Sequence, residues 1–344
     1  MKLGVNLSYQ GAVELALAAE RLGYDVALAP EGYRSDAASV LGMVAGRTER
    51  IALGSAVMQI PARSPALAAL TAATLQSLSS GRFRLGLGVS NPDVSEGWYG
   101  VSFAEPLART REYVEIVRQA LTGEPVRYDG RHYQLPSSGS GAAPLHVITE
   151  TQGAPVPVYL GAVGPGNLAL AGEIADGWIG VFAAPEQVAE SVAHVAAGRA
   201  RTGLPMAGFD VMPCLATAIG GDTDGCVDLL RTHYAYLMGI GAPERNFYIA
   251  LATRLGFGEA ATEVGRRAAA GDRAGAAAAV PAGFVELTAL TGPVDRVAER
   301  MRQYAEAGVT TLGIMISAMA GRVEERIAVL ERAMTALERS GVRD

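Results

Sequence analysis

Unbroken apolar runs of five to nine residues recur along the chain. They lie at 3–7 (LGVNL), 24–29 (YDVALA), 51–57 (IALGSAV), 83–89 (FRLGLGV), 156–161 (VPVYLG), 177–182 (GWIGVF), 209–217 (FDVMPCLAT) and 309–316 (VTTLGIMI). Such runs do not alternate with polar residues, which is the pattern of parallel strands buried on both faces. Stretches with helical spacing separate them, at 11–23, 36–48, 65–79, 105–121, 164–175, 185–201, 222–240 and 321–339. Eight strands alternating with helices over 344 residues predict a single (β/α)8 TIM barrel spanning 1–344. A doubly wound open sheet is the alternative, and the absence of a G-x-G-x-x-G turn after the first strand disfavours its dinucleotide-binding form. Two stretches break the alternation: a hairpin followed by a Gly/Ser/Pro-rich loop at 123–155, and an Ala-rich helical excursion at 241–283. Both are expected as insertions at the C-terminal rim of the barrel, where such folds build their pockets.

Several strand ends carry small residues. Gly54-Ser55-Ala56-Val57-Met58-Gln59 closes the third strand, and fits either a shelf for a planar ligand or a β-bulge kept small for packing. Gly86 and Gly88 alternate on the fourth strand and leave one side bare, either as space for a ring or as a tight layer of barrel core. Gly161 to Asn167 form a Gly/Pro-rich turn before an apolar helix, where the N–H groups of Gly164, Gly166 and Asn167 suit an anion such as phosphate. Glu31 follows the second strand, at the rim where barrel enzymes place catalytic groups, and Asp36 reads as the cap of the next helix. Trp98, Tyr99 and Phe103 share one loop and offer an aromatic wall.

Composition narrows the function classes. The chain has a formal net charge of −6 and no basic run, which argues against nucleic acid or an anionic membrane as partner. Lys2 is the only lysine, so an anion here would be held by arginine or backbone amides. No apolar stretch reaches membrane-spanning length, and a cytoplasmic location is expected. Cys214 and Cys226 are read as free buried thiols; His132, His146, His194 and His233 are scattered and read as structural, with no metal. There is no G-x-S-x-G elbow, phosphate-binding Walker loop or cysteine-nucleophile context. A bound cofactor is therefore expected to supply the chemistry.

The ordered set IALGSAVMQIPARSP, LSSGRFRLGLGVS, EGWYG, PLARTREYVEIVRQALTGEPVRYDGRHYQLP and VPVYLGAVGPGNLALAGEIADGW resembles the luciferase-like flavin and deazaflavin family over nearly the whole chain. Within it, the chain is most similar to the coenzyme F420-dependent oxidoreductases, including the methylenetetrahydromethanopterin reductase type. The resemblance implies a barrel whose deazaflavin ring rests on Gly54, Ser55, Ala56, Val57 and Met58, with a cis peptide at Ala56–Val57. It places Gly88, Val89 and Ser90 beside the ring or its tail. It places the cofactor phosphate on Gly161, Ala162, Val163, Gly164, Pro165, Gly166 and Asn167. Many members carry Asp-His after the second strand; this chain has Glu31-Gly32-Tyr33, which leaves Glu31 or Tyr33 as proton donor. Trp98 and Tyr99 would hold a small substrate. The reading is hydride transfer between F420 and a C=O, C=N or C=C bond. One alternative is a reduced-FMN monooxygenase served by a separate reductase; another is a non-catalytic flavin- or deazaflavin-binding homologue. The family also suggests a homodimer.

Overall fold

A computed structural model describes residues 1–316 and 321–343, apart from 152 and 154. Its centre is a closed parallel barrel of eight strands: β1 (Lys2–Asn6), β2 (Val26–Ala29), β3 (Ala52–Ser55), β4 (Phe83–Gly88), β5 (Val158–Gly161), β6 (Gly177–Val181), β7 (Asp210–Ile219) and β8 (Thr311–Met315). Each pairs with the next in sequence, and β8 closes on β1 with Lys2 opposite Thr311. Each overlaps one of the runs expected to be strands, with β1 starting one residue earlier and β7 running two residues further. Val26, Leu28, Tyr159, Ile179, Met212 and Cys214 fill the lumen, so the barrel is a packed core and not a pore. Burial pushes the Cys214 thiol up to about 12, and both cysteines are free and buried.

The outer ring is α1 (Ala12–Leu22), α2 (Ala37–Ala45), α3 (Pro65–Leu78), α4 (Pro106–Leu121), α5 (Pro165–Ile174), α6 (Pro185–Arg201), α12 (Val294–Glu306) and α13 (Val323–Ser340). Here the structure corrects the sequence reading. The helix expected at 222–240 forms as α7 (Thr223–Met238), but it stands outside the ring. It packs instead with α8 (Phe247–Arg254), α9 (Gly258–Ala269), α10 (Arg273–Ala279) and α11 (Ala282–Thr288) into a helical cap. The cap thus begins well before the expected 241. A short strand at Leu290–Gly292 extends beside the end of β7, and α12 then takes the ring position that α7 leaves. Apolar spacing reports that a helix is covered, not by what, so the two assignments read alike.

The cap has its own core, including Leu230, Tyr234, Val264, Phe284 and Val285. Phe182, just past β6, joins it to the barrel. Its ring stacks on Tyr234 at 4.6 Å and meets Tyr248 and Phe284 edge-on at 5.2 and 5.6 Å.

The 123–155 segment is also placed differently from expectation. It leaves α4 at the N-terminal face of the barrel, not at the rim. Its hairpin (Tyr128–Asp129 with Gln134–Leu135) then climbs back along α4. The Tyr128 hydroxyl donates to Glu115 at 2.6 Å, and Glu112 accepts the N–H groups of Arg131, His132 and Tyr133 at 3.0, 2.8 and 3.1 Å. Arg131 reaches Glu105, which precedes the helix, at 2.7 Å. Three carboxylates, two on α4 and one just before it, therefore carry the hairpin tip up to the rim.

The third strand breaks after Ser55, resumes at Met58–Gln59 beside β4, and has its Ala56–Val57 peptide cis between the two pieces. The Ser55 hydroxyl fills the gap in the ladder, donating to the Gly86 carbonyl at 2.8 Å and accepting the Gly86 N–H at 2.9 Å. A Cβ on Gly86 would lie 1.9 Å from the Ser55 carbonyl oxygen. The bare side of the fourth strand is therefore filled by protein, not left open for a ring: Ser55 covers Gly86, and Val57 covers Gly88. Gly86→Ala is expected to lose about 1–3 kcal/mol of stability by overpacking. Gly42→Ala, in α2 with no atom within 4 Å of the added methyl, is expected to gain about 0.5–1 kcal/mol. Urea denaturation of the two variants checks both signs.

Candidate functional site

At the C-terminal mouth, the broken third strand presents a small apolar face. Within residues 53–60 only Ala56, Val57 and Gln59 are not fully buried. The Val57 side chain lies across β4 and β5: added Cβ atoms on Gly88 and Gly161 would meet its methyls at 2.5 and 3.3 Å. Glycine at these two positions lets the valine sit low, so the shelf is level with its surroundings. The Ala56 N–H donates to the Ala29 carbonyl at 2.9 Å, tying the shelf to β2.

Glu31 anchors the far side. Its Oε1 accepts the Gln59 N–H at 2.9 Å; its Oε2 accepts the Arg63 guanidinium at 2.7 Å and the Ala37 N–H at 3.3 Å. The side chain is only 4% exposed, and that of Arg63 only 12%. Both carboxyl oxygens are thus occupied by donors from three separate parts of the chain. Asp36 caps α2 through the Ser39 N–H at 2.8 Å, as its sequence position suggests.

The Gly161–Asn167 turn sits on the other flank. Ala162 is buried, and its carbonyl accepts the Trp178 indole N–H at 2.8 Å, which pins the turn. Gly164 is the N-cap of α5 and offers no side chain to cap it, Pro165 occupies the first turn, and Pro165 and Gly166 are exposed. Nothing lies within 4 Å of a Cβ built on Gly164. The ten-residue helix thus begins in open space with its amide end bare, which is the arrangement that receives an anion. Val163 is half-buried against the cap core. Between the two flanks, Ser90 has a left-handed backbone (φ 63°), and its hydroxyl lies 3.4 Å from the Gln59 amide nitrogen.

Aromatic groups stand above the shelf. Tyr33 meets Trp98 edge-on at 5.8 Å, and both are exposed. The Tyr33 hydroxyl is pushed above its ordinary range by burial, reinforced by Tyr236, Tyr99 and Asp93. Tyr99 is raised by burial and by Glu31. Tyr236 and Tyr248, from α7 and α8, face the same space; burial, with Tyr236 and Tyr33 close by, raises Tyr248. A wide helical turn at Asp93–Trp98 carries Trp98, and it is latched to the cap: Asp93 accepts the Ala242 N–H at 2.8 Å and pairs with Arg245. Phe103 does not join this wall but lines a separate cavity beside it.

The structure therefore brings the sequence candidates to one mouth: Glu31 and Tyr33, the shelf, Gly88–Ser90, the α5 turn, Trp98 and Tyr99. Sequence reasoning missed Arg63, Tyr236 and Tyr248. The two tyrosines belong to the cap, whose position no local pattern reveals. Arg63 had a signal: with Ser64-Pro65 opening a helix, a cation just before the helix start opposes the dipole and calls for a carboxylate partner.

The sequence pattern of the luciferase-like monooxygenase family matches residues 2–311. A protein of Mycobacterium tuberculosis, assigned by name to the coenzyme F420-dependent oxidoreductases, is 38% identical over 94% of this chain and 96% of its own. The 5,10-methylenetetrahydromethanopterin reductase of Archaeoglobus fulgidus is 29% identical over 90% of this chain and 92% of its own. Among solved structures, the F420-dependent tetrahydromethanopterin reductase of Methanopyrus kandleri superposes with a TM-score of 0.82 at 24% identity, covering 97% of both chains. The family pattern over residues 2–311, together with a relative 38% identical over 94% of the chain, places this (β/α)8 barrel in the luciferase-like monooxygenase family.

Proposed function

We propose that the protein is a coenzyme F420-dependent oxidoreductase acting on a small organic substrate with a polarised C=O, C=N or C=C bond. The carrying observation is the shelf: two apolar residues, Ala56 and Val57, half-buried within a mostly buried run and flanked by the bare amide end of α5. A flat ring with an anionic tail matches both surfaces at once, and F420-dependent proteins stand among the relatives along the full chain.

Bound at this mouth in its reduced form, F420 would supply a hydride. Ala56 and Val57 would support its ring, and the N–H groups of Gly166 and Asn167 would receive its phosphate. Gly88, Val89 and Ser90 would border the site between these surfaces. Trp98 and Tyr99 hold the substrate on the open side. As hydride reaches the electrophilic atom, negative charge develops on its partner atom. Tyr33 gives that atom a proton, because its hydroxyl stays protonated where an ordinary phenol begins to ionise. Glu31, whose oxygens are occupied, is assigned as the group that positions Gln59 and Arg63, and not as the acid.

Binding is checked by fluorescence titration with F420 and with FMN separately. F420 is expected to bind tightly and FMN weakly; the reverse preference would move the protein to oxygen-dependent flavin chemistry, and binding of neither would sink the proposal. Tyr33→Phe is expected to lower kcat by roughly 10²- to 10⁴-fold with F420 affinity unchanged. In the wild type, activity should persist as pH rises from 7 to 9 and fall only above the usual tyrosine range, since the donor works in its protonated form and that form is favoured. Glu31→Gln should behave oppositely. It leaves Arg63 as a buried charge without a counter-ion, costs about 3–5 kcal/mol of stability, and weakens F420 binding as well as turnover. Equal effects of the two substitutions on affinity would contradict this division of roles.

A further inference from the structure

A cavity of about 370 Å³ lies beside the shelf, away from the aromatic wall. Its floor continues the shelf through Ile60–Ser64, and Val89 extends it from β4. Pro106, Arg109 and Thr110 of α4 form one wall, Val101–Phe103 another, and His132 and Tyr133 at the tip of the hairpin close it. The hairpin's climb along α4 thus builds a compartment that, of the sequence candidates for the mouth, only Val89 and Phe103 line.

The charges around it do not balance. Arg63 is matched by Glu31. His132, with a side chain 10% exposed, lies 3.4 Å from Glu105, which Arg131 already engages at 2.7 Å. Glu112, the other nearby carboxylate, is taken up by the three hairpin N–H groups. Arg109 has no carboxylate partner among the described residues. In the same cavity lining, two buried arginine nitrogens, Arg63 Nη1 and Arg109 Nε, lack a hydrogen-bond partner, and the buried His132 Nε2 has only the 3.4 Å approach of Glu105. Arg109 is half-buried with its Nε shut away from water, and in a chain of net charge −6 an unpaired guanidinium is not explained by a general excess of cations. The amide end of α4, one turn away, adds to the positive potential.

We infer that this cavity is an oxyanion subsite, separate from the α5 turn, in which Arg109, with Arg63 and His132, receives a carboxylate or phosphate group. Two sources share that chemistry: the acidic tail of the deazaflavin cofactor, running outward from the shelf past Val89, or an acidic group on the substrate. The tail source rests on the proposed F420 function; the subsite itself rests on the cavity alone.

Inorganic phosphate is the probe, titrated into the cofactor-free protein at constant ionic strength while the thermal midpoint is followed. Wild type should be stabilised in a saturable manner. Arg109→Gln should melt higher than wild type without phosphate, because the uncompensated charge is gone, and need about ten- to a hundredfold more phosphate for the same shift. That crossing of the two curves is what a purely structural arginine would not produce. Arg109→Lys, which keeps the charge, should retain most of the phosphate response, and serves as the comparison if the glutamine variant does not fold. Superimposable phosphate curves for wild type and Arg109→Gln would overturn the subsite and leave α5 as the anion site. The source is then read by comparing F420 with its tail-free riboside. A loss confined to F420 in Arg109→Gln assigns the subsite to the cofactor tail, and unchanged affinity for both assigns it to the substrate. If neither compound binds the wild type, the F420 function fails while the phosphate crossing still decides the subsite.

Discussion

The Ser55 hydroxyl stands where a backbone ladder bond between two barrel strands would otherwise run, and it serves Gly86 as both donor and acceptor. Because that one group satisfies the fourth strand, the third strand is free to leave the barrel wall for two residues and return at Met58. The excursion leaves Ala56 and Val57 half-buried at the mouth, and it also sends the chain on toward Gln59, Ile60 and Arg63. The shelf, the Glu31 hub and the floor of the neighbouring cavity are successive consequences of that single departure. Gly86 and Gly88 are glycine because the departing backbone and the Val57 side chain lie against them.

Much of this was legible in the sequence. Unbroken apolar runs marked all eight barrel strands, because a strand covered on both faces has no polar position to show. The small residues at 54–59, the Gly/Pro turn at 161–167 and the acid after the second strand each sat where the barrel places its mouth. What the pattern could not carry was the partner of each surface. The bare side of Gly86 and Gly88 read equally well as empty space or as tight packing, since a missing Cβ records only that something comes close. The exchange of α7 for α12 in the outer ring has the same origin: burial fixes a stripe of apolar residues but not the element that covers it.

Charged side chains were the other blind spot. Glu31 was visible as a rim carboxylate, yet its role turns on three donors from separate parts of the chain: the N–H groups of Ala37 and Gln59 and the guanidinium of Arg63. Arg109 falls on a helix whose sequence is rich in charge, where one cation without a partner cannot be picked out by spacing. Only the return of the hairpin along α4 shows that Arg109 is enclosed.

The cap and the shelf meet chiefly through Phe182 and the Asp93 latch, and each is held up by its own set of packed residues. Mutations in α7 to α11 can therefore accumulate, reshaping the space over Tyr33 and Trp98, without passing through the barrel lumen that supports Ala56 and Val57. What shapes the roof of the mouth is thereby kept apart from what holds its floor.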